Sequence, residues 1–265
     1  MSREHERYLK ALKRKARLTA AVRVLLLALI IGFWELAGRI GAADPFIVSS
    51  PARVVRTVAS LYSQHDLFPH IAATFLETVA GFAAGTAAGV AFAVLLWFCP
   101  FLERVLDPFL VVLNALPKIA LGPILIVWVG AGAKAIIVMA LLVSTVVTVM
   151  SVLAGFMEIS HEKQQLMRSL GATRTQTFLK VVLPASVPTI MSALKISVGM
   201  SWVGVIVGEY LVSKRGLGYL IVYGGQVFKL DLVMASIVIL CVLAALMYYA
   251  VAALEKAVGK RFGRE

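Results

Sequence analysis

Apolar residues in this chain fall in long, nearly unbroken runs, not in alternation. Six runs reach the roughly 20 residues that a helix needs to cross a hydrocarbon core of about 30 Å: residues 20–38, 71–98, 109–129, 135–156, 189–212 and 232–254. The fourth and sixth contain no charged residue. The others contain few: Arg23 and Glu35 in the first, Glu77 in the second, Lys118 in the third, and Lys195 and Glu209 in the fifth. Lipid offers backbone amides no hydrogen-bond partner, so each run must form a helix or belong to a closed barrel. Barrel strands would alternate over about ten residues, and no such stretch occurs. The pattern predicts an all-α, polytopic membrane bundle of six transmembrane helices.

The intervening segments carry shorter amphipathic patterns. In Ser49–Ser63, Val54, Val58 and Leu61 stand at helical spacing opposite Arg53 and Arg56. This fits a surface helix, either capping the bundle or serving a docking partner. Residues 157–187 form the longest polar segment, with Leu166 and Leu170 in one short stretch and Phe178, Val181 and Val182 in another. Gly171 is a natural C-cap or hinge between them, and Thr173 or Thr175 can cap the second. Pro184 and Pro188 close the segment ahead of the fifth run. The result is a helix-turn-helix projecting from the bundle. Residues 217–228 are apolar but too short to span, which fits a re-entrant or surface helix after the Gly216-Leu217-Gly218 turn. With Ser49–Ser63 it forms a docking face or a lid over the bundle.

Composition agrees with this picture. Residues are 60 % apolar and 15 % charged, and mean hydropathy is +0.91, whereas a soluble domain is about 45–50 % apolar and a quarter charged. The net charge is +12, from 26 Lys+Arg against 14 Asp+Glu. In so apolar a chain that excess marks loops facing anionic lipid, not a nucleic-acid surface. With the N-terminus inside, basic residues outside the runs divide sixteen inside to seven outside, which places both termini in the cytoplasm. Residues 1–19 are then a basic cytoplasmic segment, 20–254 the membrane domain and 255–265 a cytoplasmic tail. A basic stretch before the first run, with Gly41-Ala42-Ala43 after it, imitates a signal peptide. The run is longer than a typical signal core, and five more follow, which favours an uncleaved helix. Cys99 and Cys241 give no disulfide or metal spacing, and His5, His65, His70 and His161 are scattered. No Gly-rich loop leads into Lys-Ser or Lys-Thr, and no run carries a catalytic pair.

The 157–187 segment resembles the cytoplasmic "EAA" loop of ABC-importer membrane subunits. Gly171, Val181, Leu183 and Pro184 stand at the family's spacing, while Gln165, Leu166 and Met167 replace Glu-Ala-Ala. Leu116 to Pro123, the Trp128-Val129-Gly130 that follows, Pro45 to Val54, Glu209, and Gly216-Leu217-Gly218-Tyr219 are similar to the nitrate/sulfonate/taurine group of these permeases. The resemblance covers roughly residues 30 to 250. It implies a type I ABC importer permease in a bacterial inner membrane. It also implies a homodimer, two cytoplasmic ABC ATPases that hold the ATP and magnesium, and an extracytoplasmic solute-binding protein. The chain itself is then a transporter subunit, not an enzyme, with no cofactor of its own.

The resemblance makes Ser169, Leu170, Gly171, Ala172 and Thr173 the tip of a lever into the ATPase, with Pro184 at its end. Pro117, Lys118, Gly122 and Pro123 break the third run, and such breaks are tolerated where backbone is buried or lines a cavity. These residues and Glu209 are the candidate pathway lining. Lys118 either attracts an anionic solute or snorkels to a headgroup, as Lys195 is expected to do. Glu209 either pairs with Lys214 or Arg215 or belongs to an outer gate. Gly81, Gly85 and Gly89 form a doubled GxxxG stripe, suited to a homodimer seam or to packing within the subunit. The expected cargo is a sulfonate, nitrate, taurine or similar small anion. The alternative is a stand-alone secondary transporter, which predicts matching broken helices in two repeats. Only the third run is clearly broken.

Overall fold

No proline occurs before residue 45, and the first glycine is Gly32. The basic N-terminal residues therefore continue into the first apolar run as one helix, α1 (Arg3–Arg39). Nothing in the sequence of residues 3–39 but Gly32 and Gly38 disfavours a helix. The computed structural model describes residues 3–40 and 48–261, without the side chains of 3–13, 16, 260 and 261. Gly41-Ala42-Ala43, Pro45 and the last four tail residues lie outside the described residues.

Helices account for nearly all of the rest. They are α2 (Pro51–Ser63), α3 (Leu67–Phe98), α4 (Pro100–Ala115), a 3₁₀ turn (Lys118–Leu121), α5 (Gly122–Val129) and α6 (Ala133–Met157). Then come α7 (His161–Ser169), α8 (Arg174–Thr177), a π turn (Phe178–Val182), α9 (Leu183–Val212), α10 (Leu217–Gln226) and α11 (Leu230–Arg261). Among the described residues, five helical stretches are long and apolar enough to cross a membrane: Arg17–Arg39, α3, α6, α8 through α9, and Leu230–Gly259 of α11. The third apolar run is not one helix. It divides between α4 and Lys118–Val129, bent by 89°. Leu116 takes an extended backbone before Pro117, as the residue before a proline prefers. Counting the bent pair as one crossing gives six.

The core is a three-helix sandwich with α6 between α3 and α9. Small residues set its spacing. Gly81, Gly85 and Gly89 on α3 face Ala140, Ser144 and Thr148 on α6, each pair in van der Waals contact with no room for a methyl between them. The stripe thus packs within the chain. On the other side of α6, Gly204 lies against the Ala140 backbone and Gly208 against Ile136. Buried hydroxyls satisfy themselves along the same seams: Ser144 Oγ donates to Ala140 O at 2.8 Å, and Thr148 Oγ1 meets Ser197 Oγ at 2.5 Å. Small residues at such seams let backbones approach where lipid supplies no hydrophobic drive.

At the bundle end that carries α2 and α10, Ser50 caps α2 and Pro51 occupies its first turn. Arg53 and Ser49 both bond Asp231 at the start of α11, at 2.8 and 2.7 Å. α1 touches this end through Glu35, which accepts from Ala52 N at 3.1 Å. Trp34, Ala37 and Gly38 on the same turns are half-buried, and Trp34 Nε1 donates to Val48 O at 3.3 Å, while the other described side chains of α1 are exposed.

Candidate functional site

At the opposite end the helix-turn-helix projects as the spacing predicts. α7 ends in a turn in which Gly171 N donates to Arg168 O at 2.9 Å and Ala172 N to Met167 O at 3.0 Å. Gly171 has φ +75°, and a Cβ there would touch nothing. Glycine is needed for conformation, not for space. Thr173 is the cap: its Oγ1 accepts from Gln176 N at 3.2 Å, and Gln176 Oε1 accepts from Thr173 N at 2.9 Å. This reciprocal box fixes the entry to α8. At the tip Leu170 is 72 % exposed.

The root of the projection is as fixed as its tip is bare. Phe178 is buried, with its ring centroid 4.9 Å from that of Trp97, 5.2 Å from Phe98 and 5.3 Å from Phe156. Arg174 lies over the Trp97 ring and donates to Trp97 O at 2.8 Å, satisfying a carbonyl at the end of α3 that has no helical partner. Ser186 Oγ donates to Gly155 O at 3.0 Å, tying α9 to α6. Pro184 stands in the first turn of α9, directly after the π turn. Nothing in the spacing singled out Trp97, Phe156 or Arg174. The signal was the Trp97-Phe98 pair at the end of the second run, opposite the aromatic of the loop.

The far end of α9 holds a second construction. Three successive N–H groups at the start of α10 are taken by side chains from other helices. Gly216 N donates to His70 Nδ1 at 2.9 Å, Leu217 N to Thr74 Oγ1 at 2.7 Å and Gly218 N to Glu209 Oε2 at 2.6 Å. Glu209 is 1 % exposed, so it neither pairs with Lys214 or Arg215 nor faces solvent. A carboxylate at a helix N-terminus also meets the positive end of the helix dipole. Gly216 and Gly218 wrap the carboxyl group so closely that a Cβ at either would strike it. Glu77, likewise buried, adjoins Glu209. One oxygen of each carboxyl, Glu77 Oε2 and Glu209 Oε1, lacks a hydrogen-bond partner among the described residues.

The other proposed pathway residues are dispersed. Pro117 and Pro123 are exposed on the bent pair, and Gly122 is buried against Leu211 and Met139. Lys118 Nζ donates to Asn114 O at 3.1 Å, closing the last turn of α4. Lys195 does not snorkel: it pairs with Glu255 of α11 at 2.9 Å, because that carboxylate lies at the same depth. Among the described residues no three His, Cys, Asp or Glu side chains are grouped to hold a metal.

Comparison with known proteins decides the family. Residues 81–262 match the model of the binding-protein-dependent transport system inner membrane component. The chain belongs to this family. A Bacillus subtilis (strain 168) protein assigned as the aliphatic sulfonates transport permease protein SsuC is 29 % identical over 84 % of this chain and 81 % of its own. The taurine transport system permease protein TauC of Escherichia coli (strain K12) is 25 % identical over 87 % of this chain and 86 % of its own. The crystal structure of a bacterial ABC transporter that imports the acidic polysaccharide alginate shares the fold. It has a TM-score of 0.64, 15 % identity, and coverage of 95 % of this chain and 99 % of that one. The chain is therefore a multi-pass inner-membrane permease subunit of a binding-protein-dependent ABC importer, not a stand-alone secondary transporter.

Proposed function

We propose that the chain forms, as a homodimer, the translocation pathway for a small anion of the sulfonate, taurine or nitrate kind. Two cytoplasmic ABC ATPases drive it and an extracytoplasmic binding protein loads it. The named relatives support the cargo class, since one carries aliphatic sulfonates in its name and the other taurine. In this reading both termini and the 157–187 projection face the cytoplasm, and α2 and α10 form the outer docking face. The bent α4–α5 pair lines the pathway between two copies: α4 has no buried residue, and α5 presents Val127 and Trp128 outward.

One observation carries the coupling assignment: a bare tip on a fixed root. Leu170, flanked by Ser169, Gly171, Ala172 and Thr173, stands free, while Phe178 locks the base into the bundle. A rigid element of that kind transmits a displacement as a tilt. The chain binds no ATP in this scheme; ATP and magnesium belong to the ATPase. The test is uptake and ATPase activity in vesicles holding the whole importer. Gly171→Pro and Leu170→Asp should abolish uptake and the stimulation of ATP hydrolysis, and a photocrosslinker at Leu170 should capture the ATPase. Full uptake by both variants, or capture of lipid alone, overturns the assignment.

A further inference from the structure

Where the projection meets the last span, a groove of about 670 Å³ runs between the π turn, the start of α9 and the end of α11. Its walls are apolar, with Pro184, Pro188 and Met191 of α9 among them, and its polar rim holds Lys163 of α7, Lys180 of the π turn and Glu255 of α11. Glu255 is already paired with Lys195 at 2.9 Å. Neither Lys163 nor Lys180 has an ion-pair partner among the described residues, and both are exposed. The groove therefore joins an apolar floor to two uncompensated positive charges.

Its apolar floor begins where the hydrocarbon core ends. A hydrocarbon core of about 30 Å takes roughly 20 helical residues. Counted from Val212 on α9, the core ends near position 192; counted from Leu232 on α11, it ends near position 252. The Lys195–Glu255 pair marks that boundary. On α9 the groove begins at that boundary with Met191 and runs about two turns beyond it to Pro184, and Lys180 stands about a turn farther out on a stem long enough to reach back toward the headgroups. We propose that this groove is a binding site for an anionic phospholipid. The headgroup phosphate lies between Lys163 and Lys180, and an acyl chain follows the Pro188–Met191 face of α9. A protein partner would want acidic side chains here but would leave the apolar floor uncovered, and the charge and floor together fit a lipid. The lipid ties the first helix of the coupling loop to the last span, so its occupancy stiffens the joint through which the projection acts.

The purified full chain is placed in nanodiscs of phosphatidylcholine containing a photoactivatable phosphatidylglycerol or, separately, a photoactivatable phosphatidylcholine. The glycerol probe should label peptides covering 180–191 and 255–259 well above the choline probe. Two basic residues near an anionic headgroup contribute about fivefold each, so the K163Q/K180Q double variant should lower glycerol-probe labelling there roughly 25-fold and leave choline labelling unchanged. Both positions are exposed, so folding is not at issue. Equal labelling by the two probes, or undiminished labelling of the double variant, overturns the site. So does loss of the signal when the ATPase is added, with carbodiimide crosslinks from Lys163 and Lys180 to ATPase carboxylates. Only the choice of leaflet rests on the orientation proposed above. Labelling needs neither ATP nor transport, so failure of the coupling test leaves this result standing.

Discussion

The close seams of α6 predict a graded response to adding one methyl group. At Gly204 a Cβ would lie 2.5 Å from Ala140 Cα and 3.0 Å from Ala140 N. Both are backbone atoms and cannot turn away, so the helices must part. Overpacking of this kind costs about 1–3 kcal/mol, and Gly204 belongs at the upper end. Alanine returns up to about 1 kcal/mol of helix propensity, leaving Gly204→Ala about 2 kcal/mol less stable. At Gly85 the nearest atom is Ser144 Oγ, which can rotate, but Leu141 O at 3.2 Å and Leu141 Cα at 3.3 Å remain. Gly85→Ala should lose about 1 kcal/mol, and Ser144→Ala should restore part of that. Gly199, on the same helix as Gly204, meets nothing within 4 Å, so Gly199→Ala should be neutral or slightly stabilising. Reversible unfolding of the purified full chain in mixed micelles with a denaturing detergent measures all three. The reasoning fails if Gly204→Ala is as stable as Gly199→Ala. It also fails if the Gly85 effect depends on protein concentration, because that would place the stripe at a contact between copies.

Substitutions at two further sites address the ends of the helical stretch from the π turn through α9. Glu209→Ala strands the Gly218 N–H in a buried site, a loss of about 1–3 kcal/mol. Glu209→Gln keeps an acceptor for Gly218 and adds a donor toward Glu77, so it should stay near wild type by the same unfolding assay; equal losses would remove the capping role. Phe178→Ala empties the pocket made by Trp97, Phe98 and Phe156, and core truncations of this size cost about 3–5 kcal/mol. In vesicles it should let ATP hydrolysis continue while uptake falls, and Phe178→Leu should recover part of the uptake. Uptake and hydrolysis falling in proportion would count against a mechanical root.

What could be read from the sequence was what lipid imposes directly. Unbroken apolar runs dictated helices, and Pro117 and Pro123 marked the break because proline withholds a donor wherever it stands. Gly171 and Thr173 declared the loop turn through local backbone chemistry. The break's 89° angle was not legible, since it depends on what packs around Leu116. Glu209 shows the limit best. Its neighbours in sequence, Lys214 and Arg215, offered charge partners. The real partner is an N–H nine residues on, brought in by a turn and closed by His70 and Thr74 from a helix more than 130 residues earlier. Gly204 shows the same: its role depends on Ala140 being small on the facing helix.

The arrangement also constrains which parts can move. From Phe178 to Glu209 the chain is helical throughout, about 45 Å at 1.5 Å per residue, and it joins the root of the projection to the cap on α10. Along that length α9 meets α6 through Ser186 on Gly155, Ser197 on Thr148, Gly204 on Ala140 and Gly208 on Ile136. α6 in turn meets α3 through Gly81, Gly85 and Gly89. Contacts made by backbone and short hydroxyls have no long side chains to absorb a slide. If the loop is pushed as proposed above, these contacts favour α3, α6 and α9 moving together. The compliance has to reside where packing is thin, in the bent α4–α5 pair and in α1. Both carry largely uncovered apolar surface, so a second copy or lipid set against them would feel a tilt of the trio as a change in its own contact.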